Sequence, residues 1–171
     1  MRRRSSWRPS SHRWPSTRPG APRVGRVPCG PLSSTVRHFG AVGSGTVYKL
    51  INNLMGAIQI AGVAEGLAIA EQAGLDMKLV LEAVETGVAA SPQVIRHSRR
   101  MAARDFSGAN FTAALRHKDA AYAVRLAESL LADKPLVSRA AVESYAQAKA
   151  AMPDDDEGKM IELVSRPKKP S

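Results

Sequence analysis

Residues 43–74 read GSGTVYKLINNLMGAIQIAGVAEGLAIAEQAG, a run without proline. Val47, Leu50, Ile51, Leu54, Met55 and Ile58 recur at steps of three and four, the spacing that gathers side chains on one helical face. Ser44 stands where an N-cap belongs, and Gly74 where a left-handed C′ residue would end the run. The spacing predicts a helix over about Thr46–Ala73, roughly 40 Å long at 1.5 Å per residue. Beyond Ile58 it is apolar nearly all round, through Ile60, Val63, Leu67, Ile69 and many alanines. A helix of that kind sits in the middle of a bundle or between subunits.

Shorter helices follow, each with its own punctuation. Asp76 can cap a segment to about Thr86, with Leu79, Val80 and Val84 facing inward and Gly87 closing it. Ser91 before Pro92 gives an N-cap with proline at N1, opening a helix to about Ala103. A loop over 104–110 holds Gly108. Helices of about Thr112–Leu131 and Val137–Ala151 come next, with Pro135 as the break between them. Asp154, Asp155, Asp156 and Glu157 read as an acidic loop before the apolar stretch Met160–Val164. No strand pattern or internal repeat is evident after residue 46. The fold class is all-α, a multi-helix bundle around one long central helix.

Upstream, the character of the chain changes. Residues 1–38 hold nine of the 25 basic residues, all arginine, and no acid, leaving 16 basic against 15 acidic in the remainder. Nine of the ten net positive charges therefore belong to this stretch, and the patterned part is close to neutral. Six of the eleven prolines, both tryptophans and the only cysteine, Cys29, lie in the same stretch. Prolines at this density oppose a helix, including the amphipathic helix of a transit peptide, so residues 1–37 are expected to be a disordered arm. Charge alone would permit nucleic-acid binding, the lesser reading. A single cysteine excludes an internal disulfide framework and a Cys-rich zinc site. The expected organisation is an arm (1–37), a helical domain (38–164) and a flexible tail (165–171), without a membrane span and cytoplasmic by default.

The chemistry concentrates at the start of the long helix. Gly40, Gly43 and Gly45 allow a ligand close to the backbone, and free N–H groups at a helix start favour an anion such as a carboxylate. Lys49 and Asn53 are four residues apart and project from one face, an ammonium and a carboxamide able to grip an oxygen-rich small molecule. Two phosphate motifs fail here. Gly45 is followed by Thr46 and Val47 instead of Lys and Ser or Thr, and Tyr48 occupies the third glycine position of a dinucleotide fingerprint. On physical grounds alone, a glycine-containing linker entering a helix with a solvated lysine is the favoured account of the segment.

The pattern Gly40-x-x-Gly43-x-Gly45-x-x-x-Lys49-x-x-Asn52-Asn53, followed by Ala64-Glu65-Gly66-Leu67-Ala68 and Ala73-Gly74-Leu75-Asp76, resembles the β-hydroxyacid dehydrogenases. That family includes 3-hydroxyisobutyrate dehydrogenase, tartronate semialdehyde reductase and glyoxylate/succinic semialdehyde reductase. Arg104-Asp105-Phe106, Phe111, Leu115-x-x-Lys118-Asp119 and the helix of Tyr145 continue the likeness in order. Asn52-Asn53 in place of His-Asn favours the shorter-acid branch over 6-phosphogluconate dehydrogenases. The resemblance implies that Lys49 exchanges the proton with the carbonyl oxygen and that Asn53, with Gly43, Ser44 and Gly45, binds the substrate. It implies that Lys118 and Phe111 lie near the nicotinamide of NAD or NADP. A surface lysine pairing with Asp119 or Glu128 is an equal reading of Lys118, and Asp119 could hold its helix against the long one.

The family carries a Rossmann domain ahead of the lysine motif, whereas only 37 residues precede His38. The expectation is a fragment or a frameshifted reading frame, the Arg/Pro/Ser/Gly arm being an out-of-frame product of GC-rich coding sequence. The expected partners are a small hydroxy acid or semialdehyde and a second copy of the chain, with the cofactor not bound by this chain alone. The competing reading is a helical dimerisation or interaction module.

Overall fold

A computed structural model describes residues 37–108 and 111–165. The arm read over residues 1–37, apart from Arg37, and the tail 166–171 lie outside the described residues. Among the described residues six helices are formed: α1 (Ser44–Gln72), α2 (Met77–Thr86), α3 (Pro92–Ala103), α4 (Ala113–Leu130), α5 (Leu136–Ala151) and α6 (Ile161–Val164). A 3₁₀ turn, Glu157–Met160, leads into α6, and the one extended pairing among the described residues is the isolated bridge Thr112–Asp156. The fold is all-α around α1, against which all the other helices pack.

The caps explain most of the boundaries. Asp76 accepts from the Lys78 N–H at 2.9 Å, Ser91 from Val94 at 3.2 Å with Pro92 behind it, and Thr112 from Leu115 at 3.3 Å. Gly74 ends α1 at φ 71°, where its own N–H and that of Leu75 close on Glu71 and Ala70. Ser44 corrects the expectation. It is the first helical residue, and the cap position belongs to Gly43, at φ 97° and without a side-chain bond. A left-handed cap favours glycine over serine, which moves the start two residues upstream of the expected Thr46. Gly87 closes α2 in an extended conformation.

The core is narrow and made of small residues. Ala57, Ile60, Ala61, Ala64 and Leu67 of α1 meet Met101, Ala120, Tyr145 and Ala148, with Met160 and Ile161 closing the end. Alanine on facing surfaces lets helices approach closely and leaves shape, more than bulk, to define the packing. Two apolar expectations are corrected. Leu79 is 61% exposed, and Met77, Val80 and Leu81 turn α2 onto the core instead. Val47, Ile51 and Met55, gathered on one helical face by their spacing, are exposed, because the buried stretch of α1 begins only at Gly56. By length and composition α1 would suffice to cross a membrane, contrary to the sequence expectation. Half of its most apolar window is covered by the other helices, as in the core helix of a bundle.

Replacing Ile60, fully buried, by alanine should cost roughly 2–5 kcal/mol in urea unfolding. Leu79→Ala should change stability by less than about 0.5 kcal/mol. Equal losses would contradict this assignment of the core.

Candidate functional site

The chain reaches α1 through a tight turn. Gly40 (φ 122°) and Gly43 (φ 97°) take left-handed conformations, and the Ser44 N–H closes on the Ala41 carbonyl at 3.0 Å. The rings of Phe39 and Tyr48 stack at 4.1 Å and pin the turn to the helix. The first bond of the helical ladder runs from the Val47 N–H to Gly43, so the N–H groups of Gly45 and Thr46 face outward as helix-start donors.

Lys49 is exposed, and Asn53, one turn further along, is half-buried. The Asn53 Nδ2 donates to Asp119 Oδ2 of α4 at 2.7 Å. An ionised carboxylate only accepts, so this bond fixes which way the amide faces and leaves its Oδ1 and second N–H for another partner. Asp119 thus holds α4 against α1. Its carboxylate is engaged there, and Glu128 pairs with Arg139, so neither reading of Lys118 as a paired surface lysine is realised. Lys118 is exposed, and among the described residues neither it nor Lys49 forms a side-chain hydrogen bond or ion pair. Phe111 lies against the Arg116 guanidinium, 4.4 Å from ring centroid to Cζ.

The structure therefore gathers Asn53, Asp119, Arg116 and Phe111 into one connected group. Gly43, Ser44 and Gly45 form a separate station, roughly 12–15 Å back along the α1 axis from Asn53, with Lys49 between at roughly 6 Å.

Behind this group lies a buried polar cluster that the sequence reading did not identify. The Nε and Nη2 of Arg116 donate to the two oxygens of Glu157, Nη2 at 2.7 Å, with both side chains buried. Arg116 Nη1 donates to the Asn53 carbonyl at 3.1 Å. Arg100 meets Asp156 at 3.3 Å, and Asp156 accepts from the Gly158 N–H at 2.9 Å. A side chain at 158 would crowd that carboxylate, since a Cβ would stand 3.0 Å from it. The His97 Nε2 lies 3.9 Å from Glu157, while its Nδ1 and the Tyr145 hydroxyl are buried without a hydrogen-bond partner among the described residues. Burial pushes the Tyr145 phenol well up, with Glu157 adding to the effect, and raises the Glu157 carboxyl against the opposing pull of Arg116. Burial also drives His97 down to about 4, opposed by Asp156. The available signal was Arg116 itself, a charge in register with the buried stripe Ala113, Ala120 and Ala123.

Residues 43–164 match the family described as NAD-binding of NADP-dependent 3-hydroxyisobutyrate dehydrogenase. The chain belongs to this family. Its members use NAD or NADP. The chain is 35% identical over 121 residues to the cytokine-like nuclear factor N-PAC of Aedes aegypti, covering 69% of this chain and 21% of that protein. It is 30% identical over 132 residues to glyoxylate/succinic semialdehyde reductase 2, chloroplastic, of Arabidopsis thaliana, covering 77% and 36%. The structure of Mycobacterium tuberculosis 3-hydroxyisobutyrate dehydrogenase with L-serine superposes with a TM-score of 0.71 at 25% identity, over 80% of this chain and 48% of that one. The chain thus spans between a fifth and a half of the length of these relatives.

His97 generates a pH prediction. Its folded value near 4 lies below the ordinary 6.5, so between these limits the unfolded chain binds more protons. Stability should then rise with pH from about 4 to 6.5 and be lost on acidification, by up to about 3 kcal/mol. Glu157, raised by burial, works in the opposite sense over part of the range. Denaturation of His97→Gln across this window should give a flatter profile than the parent, and parallel profiles would refute the assignment.

Proposed function

We propose that this domain supplies the substrate end and the proton-transferring lysine of an NAD(P)-dependent 3-hydroxyacid dehydrogenase or semialdehyde reductase. One observation carries the reading: Lys49 and Asn53 stand one turn apart on α1, and the Asn53 amide is turned by Asp119 so that its oxygen is free. That oxygen accepts from the substrate hydroxyl, and the amide's second N–H is available to a substrate oxygen. In reduction the Lys49 Nζ gives its proton to the carbonyl oxygen as the alcohol forms, and in oxidation it withdraws that proton. The matched reductase and dehydrogenase are named for small oxo and hydroxy acids, and L-serine is itself a 3-hydroxy acid.

The nicotinamide cofactor, when bound, exchanges hydride with the substrate carbon. In this reading Phe111 and the exposed Lys118, near the start of α4, would face the nicotinamide end of such a group. The described residues contain no strand–helix–strand unit for its diphosphate. Turnover accordingly requires a nucleotide-binding domain, and the 171-residue chain alone is inactive in this reading.

A second reading has its own support. N-PAC, matched over 69% of this chain, is named as a nuclear factor, and α1 exposes Tyr48, Ile51 and Met55. The helical domain would then serve as an interaction module. Self-association belongs to both readings, the apolar surface being covered by a second copy.

Residues 43–164 grafted in place of the matching domain of the M. tuberculosis enzyme should restore NAD(P)-dependent oxidation of a hydroxy acid. Lys49→Met in that chimera should lower kcat by about 10²–10⁴-fold, the worth of a general acid–base group. A chimera that turns over equally well without Lys49 would sink the enzymatic reading. The helical domain should sediment as a dimer at micromolar concentration, and a monomer would remove the support for self-association.

A further inference from the structure

One face of α4 holds Asn53 twice. Asp119 takes the side-chain amide at 2.7 Å, and Arg116, three residues earlier, gives Nη1 to the backbone carbonyl at 3.1 Å. In a helix interior that carbonyl already accepts from the N–H four residues on, at Ala57. The guanidinium is therefore an additional donor on a shared acceptor, and it brings no rescue to an orphaned group.

The guanidinium lies beside Gly56, where a Cβ would stand in ordinary contact, 3.4 Å from Arg116 Nη1 and 3.9 Å from Cζ. Pairing with Glu157 uses the Nε and Nη2 edge, and the Phe111 ring covers one face at 4.4 Å. A bidentate guanidinium has no rotational freedom left, so whatever its remaining edge touches is held in place. Neutralising Glu157 would need the first edge only. The second edge is spent on the turn of α1 that carries Asn53.

We propose that Arg116 is a positioning residue for the Lys49–Asn53 site: braced by Glu157, it sets where that turn of α1 stands, while Asp119 sets the direction of the amide. This rests on the reading of Asn53 as a substrate ligand. Arg116 itself touches no substrate.

Solution NMR on the full chain tests the proposal, with L-serine as the probe. In the wild type the Arg116 Nη1 protons should be resolved and slow to exchange, whereas signals averaged by free rotation would overturn the proposal without any variant. Arg116→Lys keeps the charge beside Glu157 but cannot span both edges. It should speed exchange of the Asn53 Nδ2 protons and weaken L-serine binding, each by about tenfold, the scale of one hydrogen bond. The Ile60 and Ala64 amides should stay protected. Glu157→Gln should act in the same direction to a smaller extent. A folded variant with unchanged Asn53 exchange, or with faster exchange and unchanged L-serine affinity, overturns the positioning role. Faster exchange in a chain whose wild type binds no L-serine supports the hold on Asn53 and refutes the substrate reading on which it rests.

Discussion

A guanidinium and a carboxylate taken out of water together, Arg116 and Glu157, are the pair on which the rest of this bundle depends. Removing two charges from solvent is costly, and the geometry offsets that cost only because both carboxylate oxygens and all three guanidinium nitrogens are used. The same segment that delivers Glu157 caps the start of α4: the carbonyls of Pro153 and Asp155 accept from Ala114 and Ala113, and Phe111 takes the Glu157 N–H at 3.0 Å. Helix starts leave donors unsatisfied, and here the far end of the domain supplies the acceptors. The segment 153–157 is thus fastened to the start of the helix that faces Asn53.

This arrangement explains which parts of the fold were legible in the sequence. Caps act locally, so Asp76, Ser91-Pro92 and Gly74 gave helix boundaries correct to a residue or so. Burial is decided by partners, and there the reading failed in both directions. Leu79 points to solvent because Met77, Val80 and Leu81 already fill the side of α2 that meets the core. Asp156 and Glu157 sit in a run of four acids that looks like a solvated loop, yet both are buried against Arg100 and Arg116. Ser44 lost the cap position to a glycine whose backbone conformation serine adopts poorly.

The candidate site was partly legible for the same reason. Lys49 and Asn53 share a face by helix geometry alone, and the family resemblance, carried by motifs in order, gave them roles. What one helix cannot reveal is what crosses from another. The bond from Asn53 to Asp119 spans 66 positions of sequence and that from Arg116 to Asn53 spans 63. Neither follows from spacing. The glycine at 56, which reads as a weak point in a helix, lies beside the guanidinium that makes the second contact.

The uninterrupted course of α1 has one more consequence. Lys49, Asn53 and the core residues from Gly56 onward lie on a single rod with no break, so the rod works as a ruler as well as a support. Each residue advances the helix by about 100°. Deleting one position between Asn53 and the core would swing the whole reactive end a quarter-turn or more around the axis, away from α4, while leaving every helix intact. Substitutions along this stretch alter one side chain at a time, whereas a change in its length would alter the address of all of them at once.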